Sequence, residues 1–326
     1  MAIALDRQGY FTRRQSGDAC LPFYRDNGFL VVTDGVDEAG LQALARETVA
    51  LCRGERGAVS RSPQAVGGEL TDVQLRTLPE AELLPRFLCI HHPHKISETI
   101  HQYLAHPAIV EVLTRIVGPN VKCMQSMLFT KAAGKPGQAW HQDEDYIPTR
   151  DRSLTGAWIA IDDATIENGC LWVIPGSHQR GILWPQYLHS DNEYDCAGMS
   201  YDFPYDEQRD AVPVEVPRGS IVFFNGYLLH KSLRNRAPQG SYRRVLVNHY
   251  MSAESLLPWW PVEQTAIAKT DVRDVVMVAG TDPYAWKGYD DIAKPSVRAA
   301  GEGGCGDGRI DLATHRQAPL PLRRRM

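Results

Sequence analysis

The sequence contains no long apolar run, and no stretch approaches the roughly 18 consecutive apolar residues that a membrane span needs. Residues 1–15 also lack the continuous apolar segment of a secretory signal. A basic excess is absent as well, because 35 Lys and Arg stand against 39 Asp and Glu and the formal net charge is -4. These absences argue against a membrane protein and against nucleic acid or an anionic membrane as a partner.

The cysteines lack a metal-site or disulfide pattern. There are seven, an odd number, and no two of them form Cys-x-x-Cys. We therefore expect reduced thiols and a cytoplasmic protein. The remaining composition, with 43% hydrophobic and 23% charged residues, is typical of a globular domain.

The first 120 residues have mostly helical periodicity. A short helix over 18–27 precedes a strand at Phe29–Thr33, and Asp37 begins a longer helix. Residues 95–117 read as one further helix that Gly118-Pro119 ends. Residues 53–80 are polar and are predicted to form a long loop, which is usually a lid or a mobile segment.

From residue 121 the pattern changes to short strands. They are predicted at 121–131, 156–162, 170–174, 211–216, 220–225, 226–233 and 243–251. Glu167-Asn168-Gly169 is a strong hairpin signal between two of them. The pattern favours a mainly β fold, a sandwich or a jelly roll.

This organisation predicts a single domain over residues 1–295. It would comprise a helical region at 1–120, a β core at 121–255 and a flanking segment at 256–295. Residues 296–326 are rich in Gly, Arg and Pro, and little regular structure is expected there.

A His-x-Asp pair follows the first of these strands. The side chains of His141 and Asp143 point to the same side of an extended chain, so one metal ion can bind both. A second histidine would complete a facial triad with open positions, which suits non-haem Fe(II) oxygenases. His189 and Asp191 form the same pattern, but they lie in a polar stretch without strand periodicity, and we set that pair aside.

His230 is the candidate for the third ligand, since it lies late in an apolar strand. On a later strand, Arg243 would share one face with His249. A buried arginine is costly unless it meets an anion such as the carboxylate of 2-oxoglutarate. The alternatives are that Arg244 faces inward, or that neither arginine does.

Five stretches in this order carry a family resemblance: QSMLFTK, WHQDEDY, GAWIAIDDATIENGCLWVIPGSH, PRGSIVFFNGYLLHKSLRN and RRVLVNHYM. Residues 121–251 thereby resemble the phytanoyl-CoA dioxygenase family of Fe(II)/2-oxoglutarate oxygenases, and within it the phytanoyl-CoA dioxygenase domain-containing proteins. The resemblance implies a double-stranded β-helix (jelly roll, cupin-like) core with N-terminal and flanking helices.

The resemblance also implies the roles of individual residues. His141, Asp143 and His230 would bind Fe(II), and Arg243 would bind the distal carboxylate of 2-oxoglutarate, with Arg244 as the fallback. Three further residues would line the co-substrate pocket, namely Ser232, Met127 and Trp158. The implied reaction uses O₂, decarboxylates 2-oxoglutarate to succinate and CO₂, and hydroxylates a C–H bond of a small molecule.

Residues 183–210 interrupt the strands with many aromatic residues, seven Asp or Glu and one Arg. Long loops at the mouth of such a fold usually shape the substrate pocket, so we expect this segment and Tyr146 to contact the substrate. A coenzyme A thioester would need Lys or Arg for its phosphates, so an acyl-CoA substrate is doubtful.

Two other functions use the same residues. A non-catalytic relative would bind metal or ligand as a sensor, and a zinc hydrolase would use the same triad but give Arg243 no task. His178 is expected in a turn away from the metal, and His249 either in the core or beside the ligands. The Cys-x-His-His-x-His stretch at 89–94 is predicted to be a loop before a helix rather than a zinc site.

Overall fold

Strands dominate the centre of the molecule in a computed structural model, which describes residues 9–16, 20–57, 59, 72–195, 199–255, 275–288 and 294–298. The strands are β1 (Tyr10–Phe11), β2 (Phe29–Val32), β3 (Cys89–His91), β4 (Val121–Ala132), β5 (Gln138–His141), β6 (Thr155–Ala160), β7 (Leu171–Val173), β8 (Gln186–Leu188), β9 (Met199–Tyr201), β10 (Val212–Val214), β11 (Ile221–Asn225), β12 (His230–Ser232), β13 (Tyr242–Ser252), β14 (Val276–Ala279) and β15 (Ser296–Arg298).

Helices lie mainly in the first third of the chain. They are α1 (Cys20–Asn27), α2 (Glu38–Cys52), α3 (Asp72–Thr77), α4 (Glu80–Leu83), α5 (Glu98–Leu104), α6 (Pro107–Ile116), α7 (Asp143–Tyr146) and α8 (Glu207–Asp210). The helix α2 begins where the sequence predicts, because the side chain of Asp37 accepts a hydrogen bond from the backbone N–H of Gly40 at 2.8 Å. No helix among the described residues is long and apolar enough to cross a bilayer.

Two sheets organise the strands. Within the described residues the larger sheet has the order β1-β2-β11-β6-β13-β4-β3-β15, with β14 also paired to β4, and the smaller one has the order β10-β7-β12-β5. All pairs are antiparallel except β1 with β2. From β4 to β13 the chain passes repeatedly between the two sheets, and the expectation of a mainly β fold is confirmed.

Each face of the larger sheet is covered by a separate apolar layer. On β13, Val245 and Val247 face the smaller sheet, whereas Leu246 and Tyr250 face the helices. α1, α2, α5 and α6 supply most of the outer layer, and the Tyr250 hydroxyl donates to the carbonyl of Leu104 at 2.9 Å. Because both faces are buried, the central strands lack the apolar and polar alternation of a half-exposed strand.

Three local predictions are wrong. Residues 95–117 form two helices, since Pro107 begins α6 and disfavours helical backbone at His106. Cys89–His91, expected in a loop, is the strand β3 between β4 and β15. Asn168-Gly169 makes a turn but no hairpin, because β6 belongs to the larger sheet and β7 to the smaller one.

Three other predicted segments lie only partly within the described residues. The predicted tail at 296–326 begins with the strand β15, and residues 299–326 lie outside the described residues. The same holds for most of the 256–295 segment, although β14 pairs with β4. Part of the predicted loop at 53–80 is helical, in α3 and at the start of α4, and positions 58 and 60–71 lie outside the described residues.

Candidate metal centre

The pairing of two short strands brings the proposed ligands together. His141 is the last residue of β5, His230 is the first of β12, and the antiparallel register places them directly opposite one another. Asp143 follows two residues after His141, at the start of the short helix α7. Their possible ligand atoms all lie within 4.8 Å of one another, and all three residues are buried.

Hydrogen bonds orient both imidazoles. The Nδ1 atom of His141 lies 2.8 Å from the carbonyl oxygen of Ala139, and that of His230 lies 3.0 Å from the carbonyl oxygen of Leu228. A carbonyl oxygen only accepts, so each Nδ1 carries the proton and each Nε2 is free as a ligand. The two Nε2 atoms lie 3.5 and 3.6 Å from Oδ1 of Asp143.

A third histidine orients the carboxylate. His249 Nε2 donates to Oδ2 of Asp143 at 3.1 Å, which leaves Oδ1 toward the two imidazoles. Burial by itself raises the pKa of Asp143, but His230 and His249 outweigh this effect and hold the pKa well below its usual value. Burial, with a smaller contribution from His141, lowers the pKa of His230 to about 4. At neutral pH the centre therefore offers an ionised carboxylate beside a neutral His230.

This donor set fits a divalent transition metal. Two imidazole nitrogens and one carboxylate oxygen on a single face leave further coordination positions open, as in non-haem Fe(II) centres. The hydrogen bonds from Nδ1 and from His249 are the outer contacts that metal ligands typically make.

Arg243 is buried on the face of the larger sheet that also carries His249. Arg243 is 4% exposed, and its guanidinium carbon lies 5.5 Å from the centre of the Trp158 ring. Its Nε has no hydrogen-bond partner in the described part of the chain, and burial lowers its pKa to about 10. Arg244 faces the other way and forms a two-pronged ion pair with Asp162 at 2.9 and 2.7 Å. The geometry therefore favours Arg243 as the inward arginine.

The other residues expected in the co-substrate pocket lie on neighbouring strands. Met127 and Trp158 are both register partners of Val247, so their side chains share the face between the sheets. Ser232 ends β12, two residues after His230.

The 183–210 segment is bound to the strands that carry the proposed ligands. It contains a hairpin, β8 with β9, and the helix α8 rather than only loop. Glu207 accepts a hydrogen bond from Trp140 Nε1 at 2.9 Å and forms an ion pair with Lys231. Trp140 directly precedes His141 and Lys231 directly follows His230, so both partners of Glu207 are adjacent in the chain to a proposed ligand.

A second contact lies beside Asp143. The Tyr201 hydroxyl donates to the exposed Asp145 at 2.5 Å, and Gln186 donates to the same oxygen. The Tyr146 ring centre lies 6.3 Å from that of His141, and Tyr205 packs against Trp184 at a centroid distance of 6.3 Å. The segment therefore lies at the metal end of the inter-sheet space.

The histidines that the sequence analysis set aside lie elsewhere. Only the triad of His141, Asp143 and His230 gathers three possible metal donors within the described ranges. His189 Nδ1 accepts from the backbone N–H of the exposed Asp191 at 3.1 Å, and His178 Nε2 lies 3.0 Å from the carbonyl oxygen of Arg25.

Sequence reasoning missed two residues of this region. Lys131 is fully buried beside Arg243, and Glu207 connects the 183–210 segment to β5 and β12. A lysine within a predicted central strand was a usable signal for the first, since a buried ammonium needs acceptors. The second had no local signal, because its partners are distant in sequence.

Known proteins resemble this chain in sequence and in fold. Residues 24–245 match the family described as phytanoyl-CoA dioxygenase (PhyH). The peroxisomal phytanoyl-CoA dioxygenase of Bos taurus is 30% identical over 71% of this chain and 67% of its own length. Phytanoyl-CoA dioxygenase domain-containing protein 1 of Bos taurus is 31% identical over 54% of this chain and 56% of its own length. The solved structure of the apo non-haem monooxygenase ThoJ has the same fold, with a TM-score of 0.59, 22% identity and coverage of 86% of this chain and 87% of that one.

Replacing His141 by Ala should abolish tight Fe(II) binding while the protein stays folded. Loss of an outer contact alone typically costs about 10- to 100-fold in metal affinity, so loss of a ligand should cost on the order of 100-fold or more. Calorimetric titration of Fe(II) under nitrogen measures this, with the Tm as the check on folding. The matched control is His189→Ala, which should keep its affinity. Equal losses in the two variants would contradict the assignment of the metal centre.

Replacing His249 by Leu should weaken Fe(II) binding about tenfold, because Asp143 loses the donor that orients it. His249→Gln retains an N–H donor and should recover part of the affinity in the same titration. An unchanged affinity in His249→Leu would show that the carboxylate is oriented by other contacts.

Proposed function

Because the chain belongs to the phytanoyl-CoA dioxygenase family and is an Fe(II)/2-oxoglutarate-dependent oxidoreductase, we propose that it hydroxylates a C–H bond of a small molecule. Its cofactors are Fe(II), 2-oxoglutarate as co-substrate and O₂. The observation that carries the proposal is the convergence of two histidines and one aspartate in the same inter-sheet space as a buried arginine whose Nε has no acceptor among the described residues.

In this proposal His141, Asp143 and His230 hold the iron. Bound iron supplies the redox chemistry that couples O₂ and the 2-oxo acid to oxidation of the substrate. The residues of the chain keep the two imidazoles oriented through their Nδ1 hydrogen bonds and keep the carboxylate ionised and oriented through His249.

Arg243 binds the distal carboxylate of 2-oxoglutarate in this proposal. A guanidinium buried without a counterion is costly, and a carboxylate accepts its N–H groups in a two-pronged arrangement. Trp158 forms an apolar wall beside Arg243, and Met127 lines the same inter-sheet space, so water is excluded and the ion pair is strengthened. Ser232 adds a hydroxyl donor.

The 183–210 segment and Tyr146 contact the substrate in this proposal. The contacts of Glu207 and Tyr201 hold the segment over the metal end of the pocket, where a substrate must enter to meet the oxidant. The substrate therefore meets aromatic rings and carboxylates before it reaches the metal.

We further propose that the substrate is not a coenzyme A thioester. The 183–210 segment has seven acidic residues and only one basic residue, Arg209, which is paired with Asp210 at 2.7 Å. Phosphate groups would meet repulsion there rather than the Lys and Arg donors that they need. A cytoplasmic location belongs to the same proposal, and five buried free cysteines in the described residues support it.

The test of the reaction is a screen of small molecules for 2-oxoglutarate turnover with Fe(II) and ascorbate, read as succinate and oxidised product. Substrate-dependent succinate formation is the expected result. Turnover without 2-oxoglutarate and without O₂ would favour a zinc-type hydrolase, and no turnover of any kind would favour a non-catalytic binding protein.

Replacing Arg243 by Ala should weaken binding of 2-oxoglutarate about 30-fold or more, since loss of one partner of a buried charged pair costs about 2–5 kcal/mol. Arg243→Lys should recover only part of this, because a point charge cannot form the fork. The measurement is calorimetric titration of 2-oxoglutarate into the Fe(II) protein under nitrogen. Arg244→Ala is the control, and the register assignment fails if that variant loses the affinity instead.

Replacing Tyr201 by Phe should lower formation of oxidised product about tenfold while substrate-free decay of 2-oxoglutarate stays nearly constant. The variant removes only the hydroxyl that binds Asp145, and a hydrogen bond to a charged group contributes about 1.5–3 kcal/mol. Product and succinate are quantified together. Tyr187→Phe, in an exposed position of β8, is the control. Equal product yields in all three proteins would show that the segment does not shape the substrate pocket.

A further inference from the structure

Two buried cations lie side by side between the sheets. Lys131 on β4 is the direct register partner of Arg243 on β13, and the two residues are 1% and 4% exposed. Like charges directly opposite on neighbouring strands are destabilising, and burial adds a desolvation cost. Burial first, and then the charge of Arg243, lower the pKa of Lys131 well below its usual value. A lysine in this position therefore requires compensation from its surroundings.

The smaller sheet and the turn before β7 provide that compensation. The Lys131 ammonium donates to the carbonyl of Leu233, to the carbonyl of Gly169 at 3.4 Å and to the hydroxyl oxygen of Ser232 at 3.3 Å. Gly169 has a φ of +82°, and a Cβ there would lie 2.6 Å from the Lys131 Nζ. An ammonium has three N–H donors, and all three have acceptors, so Lys131 is not left free to bind a co-substrate itself.

The hydrogen bond from Lys131 limits the hydrogen bonds that Ser232 can form. Its hydroxyl oxygen accepts from Lys131 and also from the backbone N–H of Gln138 at 3.2 Å. A hydroxyl has two lone pairs and one O–H, so both acceptor positions are filled and only the donor remains. The structure gives that O–H no acceptor among the described residues.

We propose that Lys131 is a positioning residue that directs the Ser232 O–H toward the carboxylate of 2-oxoglutarate that Arg243 binds. The inference rests on the proposed function of the site. Without the ammonium, the Ser232 hydroxyl oxygen keeps only the donor from Gln138, so its O–H is no longer held in one direction and can rotate away from the co-substrate. Lys131 thereby acts on the co-substrate through Ser232, whereas Arg243 contacts it.

The test is a double-mutant cycle on co-substrate affinity. 2-Oxoglutarate is titrated calorimetrically into the Fe(II) protein under nitrogen for the wild type, Lys131→Met, Ser232→Ala and the double variant. Each single variant should bind about tenfold more weakly, which corresponds to about 1.4 kcal/mol. The double variant should be within about twofold of Ser232→Ala. If Lys131→Met weakens binding equally in both backgrounds, the lysine acts by charge or through the fold, and the proposal is overturned.

A second variant serves as the control for folding. Lys131→Gln keeps an amide donor at the contact between the sheets, so it should retain the Fe(II) affinity of the wild type and recover part of the co-substrate affinity that Lys131→Met loses. If both Lys131 variants lose Fe(II) binding or the thermal unfolding transition, the lysine serves the fold alone and the proposal fails. A wild type that binds Fe(II) but not 2-oxoglutarate would instead contradict the proposed function.

Discussion

The antiparallel pairing of β5 with β12 is the contact on which the rest of the site depends. It places His141 and His230 opposite one another, with their ring centres 4.0 Å apart. A slip of one residue in this pairing would turn one imidazole to the other face of the sheet. Asp143 needs no pairing of its own, because it follows β5 by two residues and begins a helical turn at that point. Two short strands in correct register therefore bring the three possible metal ligands together, and His249 on β13 orients the carboxylate.

The charged side chains between the two sheets differ in whether their hydrogen-bonding groups have partners. Asp143 receives a hydrogen bond from His249, and Lys131 fills all three of its donors. Arg243 is the exception, since a buried guanidinium nitrogen has no acceptor in the described residues. The fold thus carries the cost of one partly unpaired cation, and a bound carboxylate removes that cost. In the proposed function, this unpaired charge is what favours a dicarboxylate co-substrate.

The 183–210 segment contacts the strands of the candidate metal centre through a few side chains. One carboxylate, Glu207, binds both Trp140 and Lys231, which are the chain neighbours of the two histidines. The Lys231 Nζ also lies 4.9 Å from the centre of the Trp140 ring. Glu207 therefore binds the 183–210 segment to both of the strands that carry the two histidines.

The sequence by itself determined the local features: the helix that begins after Asp37, most of the strand segments, and the choice of His141 and Asp143 over a second His-x-Asp pair. Capping residues, strand periodicity and motif spacing act over a few residues, so they can be read without a structure. The position of His230 late in an apolar strand made it the candidate for the third ligand, and the family resemblance implied the same role.

Tertiary structure decided what depends on contacts between distant segments. Asn168-Gly169 has hairpin chemistry, yet the flanking strands separate into different sheets, and the turn instead leaves room for the Lys131 ammonium. Whether Arg243 or Arg244 faces inward depended on the register of β13 against β4 and β6. The physical reason is that a strand presents both of its faces equally in sequence, and only its partners decide which face is buried against the site.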